Sequence, residues 1–479
     1  MIGITTIGTH IPTLRMRREV AVQAMSWYAP FLHAYSRGTR SVCNYDEDAL
    51  TMAVAAGFRA LANTPPVEAL YLASTTLPFD ARLSSAVAKT ALGFSDHLVA
   101  ADFTDSERAG ITAIITATDR VARTGNPAMV IASDRRLARP GAPEELLFGD
   151  GAAAVTLGKE NVIASIDGQY SLTRDIIDHY RGRGARFDYG WEERWTAAVG
   201  YERIVPEVVE GLLSTCGVSR EDIDKYIYPC PSARTHGAIG RRLGVSAEKI
   251  ADNLFEEIGE TGTAHPLVML ARILETAVPG ERIVLVGFGS GADAVLLTVT
   301  ENIESSRPIG NSRPTIDICE YTRFLAFREL IVPEAGVKGE MTQKTALSVL
   351  SRERDMLTGL VGGKCDACGT PQFPKGEICV HPACRKPGTQ VPYRFSHRTA
   401  LLKTFTGDYL GPSLSPPNIY GLIQFDGGGR MMVELTDCSL EEVQVGSRLS
   451  MTFRKRYEDP ERRFTGYFWK AIPISEVTP

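Results

Sequence analysis

No stretch of the 479-residue sequence approaches the run of about twenty apolar residues that a membrane-crossing helix needs. The opening "MIGITTIGTHIP" reads as a buried strand and lacks the basic start, apolar core and small-residue cleavage site of a secretory signal. A cytoplasmic protein with no membrane span is the expectation. Positive charge is short as well: the net charge is −5 and the pI near 6.0. That balance gives no reason to expect nucleic acid or an anionic membrane as partner. The one basic patch, "FRKRYEDPERRF", is broken by acidic residues, so nucleic acid is not expected there either. A small-molecule partner fits better. Cysteine is sparse and uneven: of nine, four crowd into one short segment, which argues against a disulfide framework and for a metal site in a reducing compartment.

The length allows two or three domains, and 44% hydrophobic with 23% charged content is that of an ordinary globular chain. Two stretches rhyme. "GDGAAAVTLG" and "GSGADAVLLTV" each follow a glycine turn, and each has an apolar strand upstream, "PAMVIASD" and "RIVLVGFG". Such self-similarity predicts two related α/β halves, 1–165 and 166–303. Strand-like runs alternate with helix-like ones such as "DEDALTMAVAAGFRALAN", whose apolar residues recur at helical spacing after an acidic start. Residues 304–360, first Pro- and Ser-punctuated and then charged, read as a linker with helices.

"CDACGTPQFPKGEICVHPAC" places Cys365 and Cys368 two residues apart and Cys379 and Cys384 four apart. Two such thiolate knuckles complete a closed tetrahedral site, so structural zinc, or iron in the same geometry, is expected over 361–390. His381 lies in the second knuckle but is not needed as a ligand. Short β-rich runs with Gly, Asp and Pro turns follow over 391–479 and predict a small antiparallel barrel.

The stretch "DFTDSERAGITA" reads as a strand ending in a sharp turn into a helix, with Glu107 near the bend, a place where many enzymes present a nucleophile. With "GTRSVCNYDEDALTMAVAAGFRAL", "IGETGTAHPLVMLA" and "VGFGSGADAVLLTV", it resembles the blocks of 3-hydroxy-3-methylglutaryl-CoA synthase and thiolase-superfamily relatives such as β-ketoacyl-ACP synthase III. The resemblance covers roughly residues 1–300. The remainder resembles the zinc-ribbon, OB-fold partner of thiolase-like acyltransferases and aldolases. The implied fold is a duplicated thiolase-like α/β architecture, layered α-β-α-β-α, followed by a rubredoxin-like ribbon and an OB-type barrel. The resemblance also implies a homodimer, and a CoA or phosphopantetheine thioester delivered as acyl-CoA or on an acyl-carrier protein.

The family's working residues are replaced. Its nucleophilic cysteine falls on Glu107, its histidine on Pro229, its asparagine on Glu260 and its general-base glutamate on Thr75. A carboxylate is a poor acyl acceptor from a thioester, because the anhydride formed is at least as activated as the thioester, but it moves protons well. Glu107 and Glu260 are therefore expected to act as acid and base in carbon–carbon bond formation or cleavage. The resemblance puts the oxyanion donors at the backbone N–H groups of Glu107 and Ser290. Ser106 and Cys230 are the alternative nucleophiles for an acyltransferase. His265 and His236 are the histidines near the altered blocks, His265 being the accessory candidate, and Arg108 or Arg234 are candidates to neutralise the glutamates. "YRGRGARFDYGWEERW" would suit either CoA phosphates or a subunit contact. A non-catalytic thiolase-like scaffold is the third reading, against which two carboxylates in one pocket weigh.

Overall fold

The computed structural model describes residues 1–61, 66–190, 192–308, 313–334 and 345–474. The chain divides into two compact units. The first holds Met1–Cys43, Asp48–Ser85 and Asp96–Phe324; the second holds Asn44–Glu47, Ala86–Ser95 and the chain from Leu325 onward.

The first unit is built on a nine-stranded sheet made of two similar halves. In one half, Gly3–His10 pairs antiparallel with Asp150–Gly158, which pairs antiparallel with Ala128–Arg135, which has the parallel neighbour Ala69–Ala73. The other half repeats this order with Ala164–Thr173, Gly291–Val299, Arg282–Phe288 and Lys225–Ile227. The rhyming stretches thus occupy equivalent strands. The halves join through a short pairing, Gly3 with Ser165 and Ile4 with Ala164. In the first half Val99–Phe103 forms the outer edge, paired among the described residues with Ala69–Ala73.

Helices fill three layers around these strands. The capping box of Asp48 with Thr51 starts the helix Ala49–Ala60, which packs on the first half, while Glu202–Cys216 packs on the second. Between the halves lie Ala109–Thr124 and His265–Leu274, which contact each other and strands of both halves. Their apolar faces form the main core with Ile111, Ile114, Leu267 and Leu270, all essentially inaccessible. The arrangement is the layered α-β-α-β-α order expected.

The equivalent positions of these two central helices bring their N-terminal turns together. A β-carbon added at Gly110 would lie 2.6 Å from the carbonyl oxygen of Thr263, so the Ala-Gly of "SERAG" permits this close approach. The 304–360 segment divides between the units: Ile316–Ile318 is a strand paired in parallel with Leu14–Arg17 of the first, and Leu347–Arg352 and Arg354–Leu357 are short helices of the second.

In the second unit a three-stranded sheet, Pro371–Gln372, Val361–Cys365 and Gln390–Arg394, carries the cysteine knuckles. A five-stranded antiparallel sheet follows, and its two end strands close on one another where Thr436 N–H donates to Ala471 O at 3.0 Å beside the Leu435–Ala471 bridge. Closure removes the free edges. Asn418–Phe425 alternates buried and half-buried residues, and Phe395, Phe425, Phe453 and Trp469 fill the interior. The basic patch is neutralised from within: Arg454 is buried against Asp46, Glu47 and Asp437, Lys455 pairs with Glu329 and Glu458, and Arg462 with Asp459.

Gly110→Ala is expected to destabilise the first unit by about 1–3 kcal/mol, the usual cost of overpacking. A thermal-denaturation midpoint equal to wild type would show that the two helix turns can part without cost.

Candidate active site

Glu107 sits in the turn after Val99–Phe103. The backbone there bends through Asp105, whose φ of +73° lies in the left-handed region that Asp tolerates better than most residues, and Ala109–Thr124 begins two residues after Glu107. Glu260 sits in the matching turn before the second central helix. Its backbone is held on both sides, its N–H donating to Leu147 O at 2.8 Å and its carbonyl accepting from Gly149 N–H at 2.8 Å. Its Oε1 accepts from Gly262 N–H at 2.7 Å, which leaves Oε2 to face inward.

What joins the two carboxylates is Arg136, the residue after strand Ala128–Arg135. Its Nη1 pairs with Glu107 Oε1 and, at 2.8 Å, with Glu260 Oε2; its Nε binds Asp188 Oδ2 at 3.0 Å. The guanidinium lies 3.8 Å over the Phe148 ring, which limits its movement. The arginine at the pair is thus Arg136, while Arg108 bonds Leu172 O and pairs with Asp293, and Arg234 is exposed.

One guanidinium carries one charge, and three carboxylates meet it. Burial pushes Glu260 up to about 8, with Glu107 adding to the effect and Arg136 opposing it. Burial also raises Glu107, against Arg136 and His179. Two carboxylates on the same nitrogen resist ionising together, so the pair retains a proton near neutrality.

His179 is the histidine that reaches this cluster. Its Nε2 is 3.7 Å from Glu107 Oε1 and its Nδ1 is 3.0 Å from Asp178 Oδ2. It stands on a two-residue strand, His179–Tyr180, paired with Tyr189–Gly190. The Arg- and aromatic-rich stretch therefore forms a hairpin that supplies Asp188 to the site, and Arg181 of the same hairpin binds Asp188 at 2.9 Å and donates to the Thr75 carbonyl. A cavity of about 840 Å³ opens on the cluster, lined among others by Glu107, Glu260, Arg136, His179, Tyr201 and Cys230. Tyr201 ends a π-helical turn, Thr196–Tyr201, and stacks on Phe288 with ring centres 4.0 Å apart.

The other sequence candidates have different surroundings. Ser106 Oγ donates to Gly289 O at 3.0 Å. Cys230 lines the cavity but burial pushes its thiol up to about 12, and its sulfur faces Ser232 O at 3.6 Å. His265 is buried, its Nδ1 accepting from Thr261 and its Nε2 bonded to Asn253 O at 2.8 Å; burial lowers it to about 4. His236 is likewise lowered to about 4 by burial. Thr75 bonds Asp134 Oδ1 through its N–H and hydroxyl. Ser290 sits at φ +48° between Gly289 and Gly291, and a β-carbon at Gly289 would lie 3.1 Å from Glu107 N. That turn therefore packs directly on the Glu107 backbone.

Sequence reasoning missed Arg136, His179, Asp178, Asp188 and Tyr201. The signal for Arg136 was a charged pair, Arg135 and Arg136, directly after an apolar strand; for His179 it was a histidine opening a loop already singled out for its arginines.

In the second unit the sulfurs of Cys365, Cys368, Cys379 and Cys384 all lie within 4.8 Å of one another, with 3.8 Å between Cys365 and Cys384 and 3.5 Å between Cys368 and Cys379. Tetrahedral ligation at about 2.3 Å separates sulfurs by about 3.8 Å, so the cluster fits a single metal ion.

Comparison with known proteins agrees with this architecture. Residues 213–299 match the family model for the 3-oxoacyl-[acyl-carrier-protein] synthase III C terminus, and 393–454 that for the ChsH2 C-terminal OB-fold domain. The hydroxymethylglutaryl-CoA synthase of Archaeoglobus fulgidus is 32% identical over 315 residues, spanning 64% of this chain and 91% of that one. The Methanosarcina barkeri enzyme is 31% identical over 331 residues, 66% and 92% of the two chains. A crystal structure of HMG-CoA synthase complexed with CoA superposes with a TM-score of 0.60 at 18% identity, covering 72% of this chain and 94% of that one. The curacin-pathway HMG synthase in complex with acetyl donor-ACP does so at 0.56 and 19% identity, covering 64% and 82%. With identity above 30% across nine-tenths of such relatives, the chain belongs to the hydroxymethylglutaryl-CoA synthase family.

Proposed function

We propose that this chain is a thiolase-superfamily enzyme that makes or breaks a carbon–carbon bond in a CoA- or carrier-bound thioester without forming a cysteine adduct. The observation that carries the reading is the convergence of Glu107 and Glu260 on one nitrogen of Arg136 at the floor of the cavity. A pair sharing one proton holds a base and an acid side by side. The ionised member takes the proton from the carbon next to the thioester carbonyl; the protonated member gives its proton to the oxygen of the acceptor carbonyl as the new bond forms. In the reverse direction the same groups exchange roles, and the proton count is unchanged. The N–H groups of Glu107 and Ser290 are the donors for the thioester oxygen. Thioester delivery by CoA or an acyl-carrier protein is supported by the relatives and by the CoA and ACP complexes among the similar structures.

Acyl transfer through another nucleophile has less support, because Ser106 is engaged with Gly289 O and Cys230 is held as the thiol. Zinc is proposed for the four-cysteine cluster, where Cys365, Cys368, Cys379 and Cys384 would close the coordination shell and hold the ribbon together. A homodimer is proposed through the edge strand Val99–Phe103, which among the described residues is paired on one side and is half-exposed.

Acetyl-CoA incubated in D2O tests the chemistry. Wild type is expected to exchange the acetyl protons without acquiring an acyl adduct, and Glu107→Gln and Glu260→Gln to lower exchange by about 10²–10⁴-fold, the usual worth of general acid–base catalysis. A stable adduct on wild type, seen by intact-protein mass spectrometry, would overturn the proposal.

The raised Glu260 also sets a pH dependence of stability. Its protonated form is favoured by folding, so its contribution is complete below the ordinary value of 4.5 and is lost as pH rises through about 8. Glu260→Gln should therefore gain thermal stability relative to wild type across that window; a constant difference in melting temperature would contradict the assignment.

Metal analysis of the purified chain should find about one zinc per chain, and Cys365→Ser should lose it together with the ribbon's resistance to proteolysis. Full zinc content in that variant would place the metal elsewhere.

A further inference from the structure

The family's histidine is absent from this chain at Pro229, yet a histidine stands beside Glu107 from a different part of the fold. We propose that His179, held by Asp178, exchanges protons with Glu107 and so serves it from the hairpin as a proton relay. The proposal rests on the reading of Glu107 as a proton carrier.

The geometry has three parts. Asp178 Oδ2 accepts from Nδ1 at 3.0 Å, which fixes the ring and leaves Nε2 as the exchanging atom. Nε2 points at Glu107 Oε1 at 3.7 Å, and a shift of under about 1 Å brings the pair to hydrogen-bond length. Both groups line the cavity, so protons passing between them reach a bound molecule.

The surrounding charges favour the arrangement. Asp178 directly precedes the histidine's strand, Glu107 comes from the turn before the first central helix, and Asp188 directly precedes the returning strand of the hairpin. Glu260 comes from the turn before the second central helix; Arg136 is shared by Glu107, Glu260 and Asp188, and Arg181 of the hairpin also pairs with Asp188. Tyr201 and Cys230 complete the wall, and burial raises both so that they stay neutral. Burial alone would lower His179, but Glu107 and the bond to Asp178 outweigh both burial and Arg136, and the net direction is upward.

The step balances simply. When Glu107 has given its proton to the substrate oxygen, the Nε2–H proton passes to Glu107 Oε1. The N–H bonding pair stays on the imidazole, which Asp178 holds through Nδ1–H. A proton taken by Glu107 from the substrate carbon returns to Nε2 by the same path, and nothing is oxidised or reduced. Glu107 thereby acts more than once without waiting for solvent to enter a buried cluster.

Nuclear magnetic resonance of the full chain labelled at histidine gives the test, with the His179 signal assigned from His179→Gln. The wild-type midpoint should lie above the ordinary 6.5, and Asp178→Asn and Glu107→Gln should each lower it by about one unit, a tenfold change in proton affinity. With acetyl-CoA in D2O, where Nε2 must be free to take the proton that Glu107 removes from carbon, wild-type exchange should rise as pH rises through that midpoint. His179→Gln should lower kcat by about tenfold or more with KM little changed and should abolish that rise; Asp178→Asn should move the rise to lower pH. An unchanged His179 midpoint in Glu107→Gln, or a His179→Gln profile of wild-type shape, overturns the proposal. Because the midpoints are read without substrate, they decide the pairing even where wild type fails to exchange acetyl-CoA, a failure that would count against the proposed function instead.

Discussion

The site depends on one guanidinium. Arg136 is buried with Glu107, Glu260 and Asp188 around it, and every other arrangement in the cavity floor follows from that crowding. An ionised carboxylate taken out of water costs several kcal/mol unless it is paired. One arginine repays this for about one carboxylate fully. The remainder must be met by further pairing, as Arg181 does for Asp188, or by keeping a proton, as the two glutamates do. The hairpin at His179–Tyr180 and Tyr189–Gly190 supplies part of that pairing, with Asp188 on Arg136 and His179 beside Glu107. Asp188 lies between two arginines, its Oδ2 on Arg136 Nε and its Oδ1 on Arg181.

Internal duplication prepares the place where that crowding occurs. Two equivalent helices meet at their N-terminal ends, where unpaired N–H groups and the helix dipoles favour negative charge. In such a setting a carboxylate is a conservative occupant electrostatically, although it is a radical replacement chemically. Glu107 and Glu260, one in each of the two turns, are residues of the kind that these helix ends favour.

Much of the fold was legible because its signals are local. The repeated Gly-Ala-Val strands announced two halves, the cysteine spacing announced the four-cysteine cluster, and short β runs with turn residues announced the barrel. The glutamates were legible because they lie inside blocks whose order and glycines survive. The partners of those glutamates were not. Arg136 and Glu260 are 124 residues apart, and nothing in the pattern around Arg136 distinguishes it from Arg135 beside it. His265, near the altered block in sequence, is turned to Thr261 and Asn253, whereas His179, far from any recognised block, faces Glu107.

The sequence by itself determined the elements, the duplication, the cysteine cluster and the identity of the two carboxylates, because each is written in spacing and residue type along a few turns of chain. Only the tertiary structure decided which charges meet. Partner choice among arginines and histidines depends on which side chains are brought within a few ångströms in a low-dielectric interior, and there the electrostatic energy is large enough to set protonation. That distance is a property of the packed halves and of the hairpin folded onto them, and no local pattern encodes it.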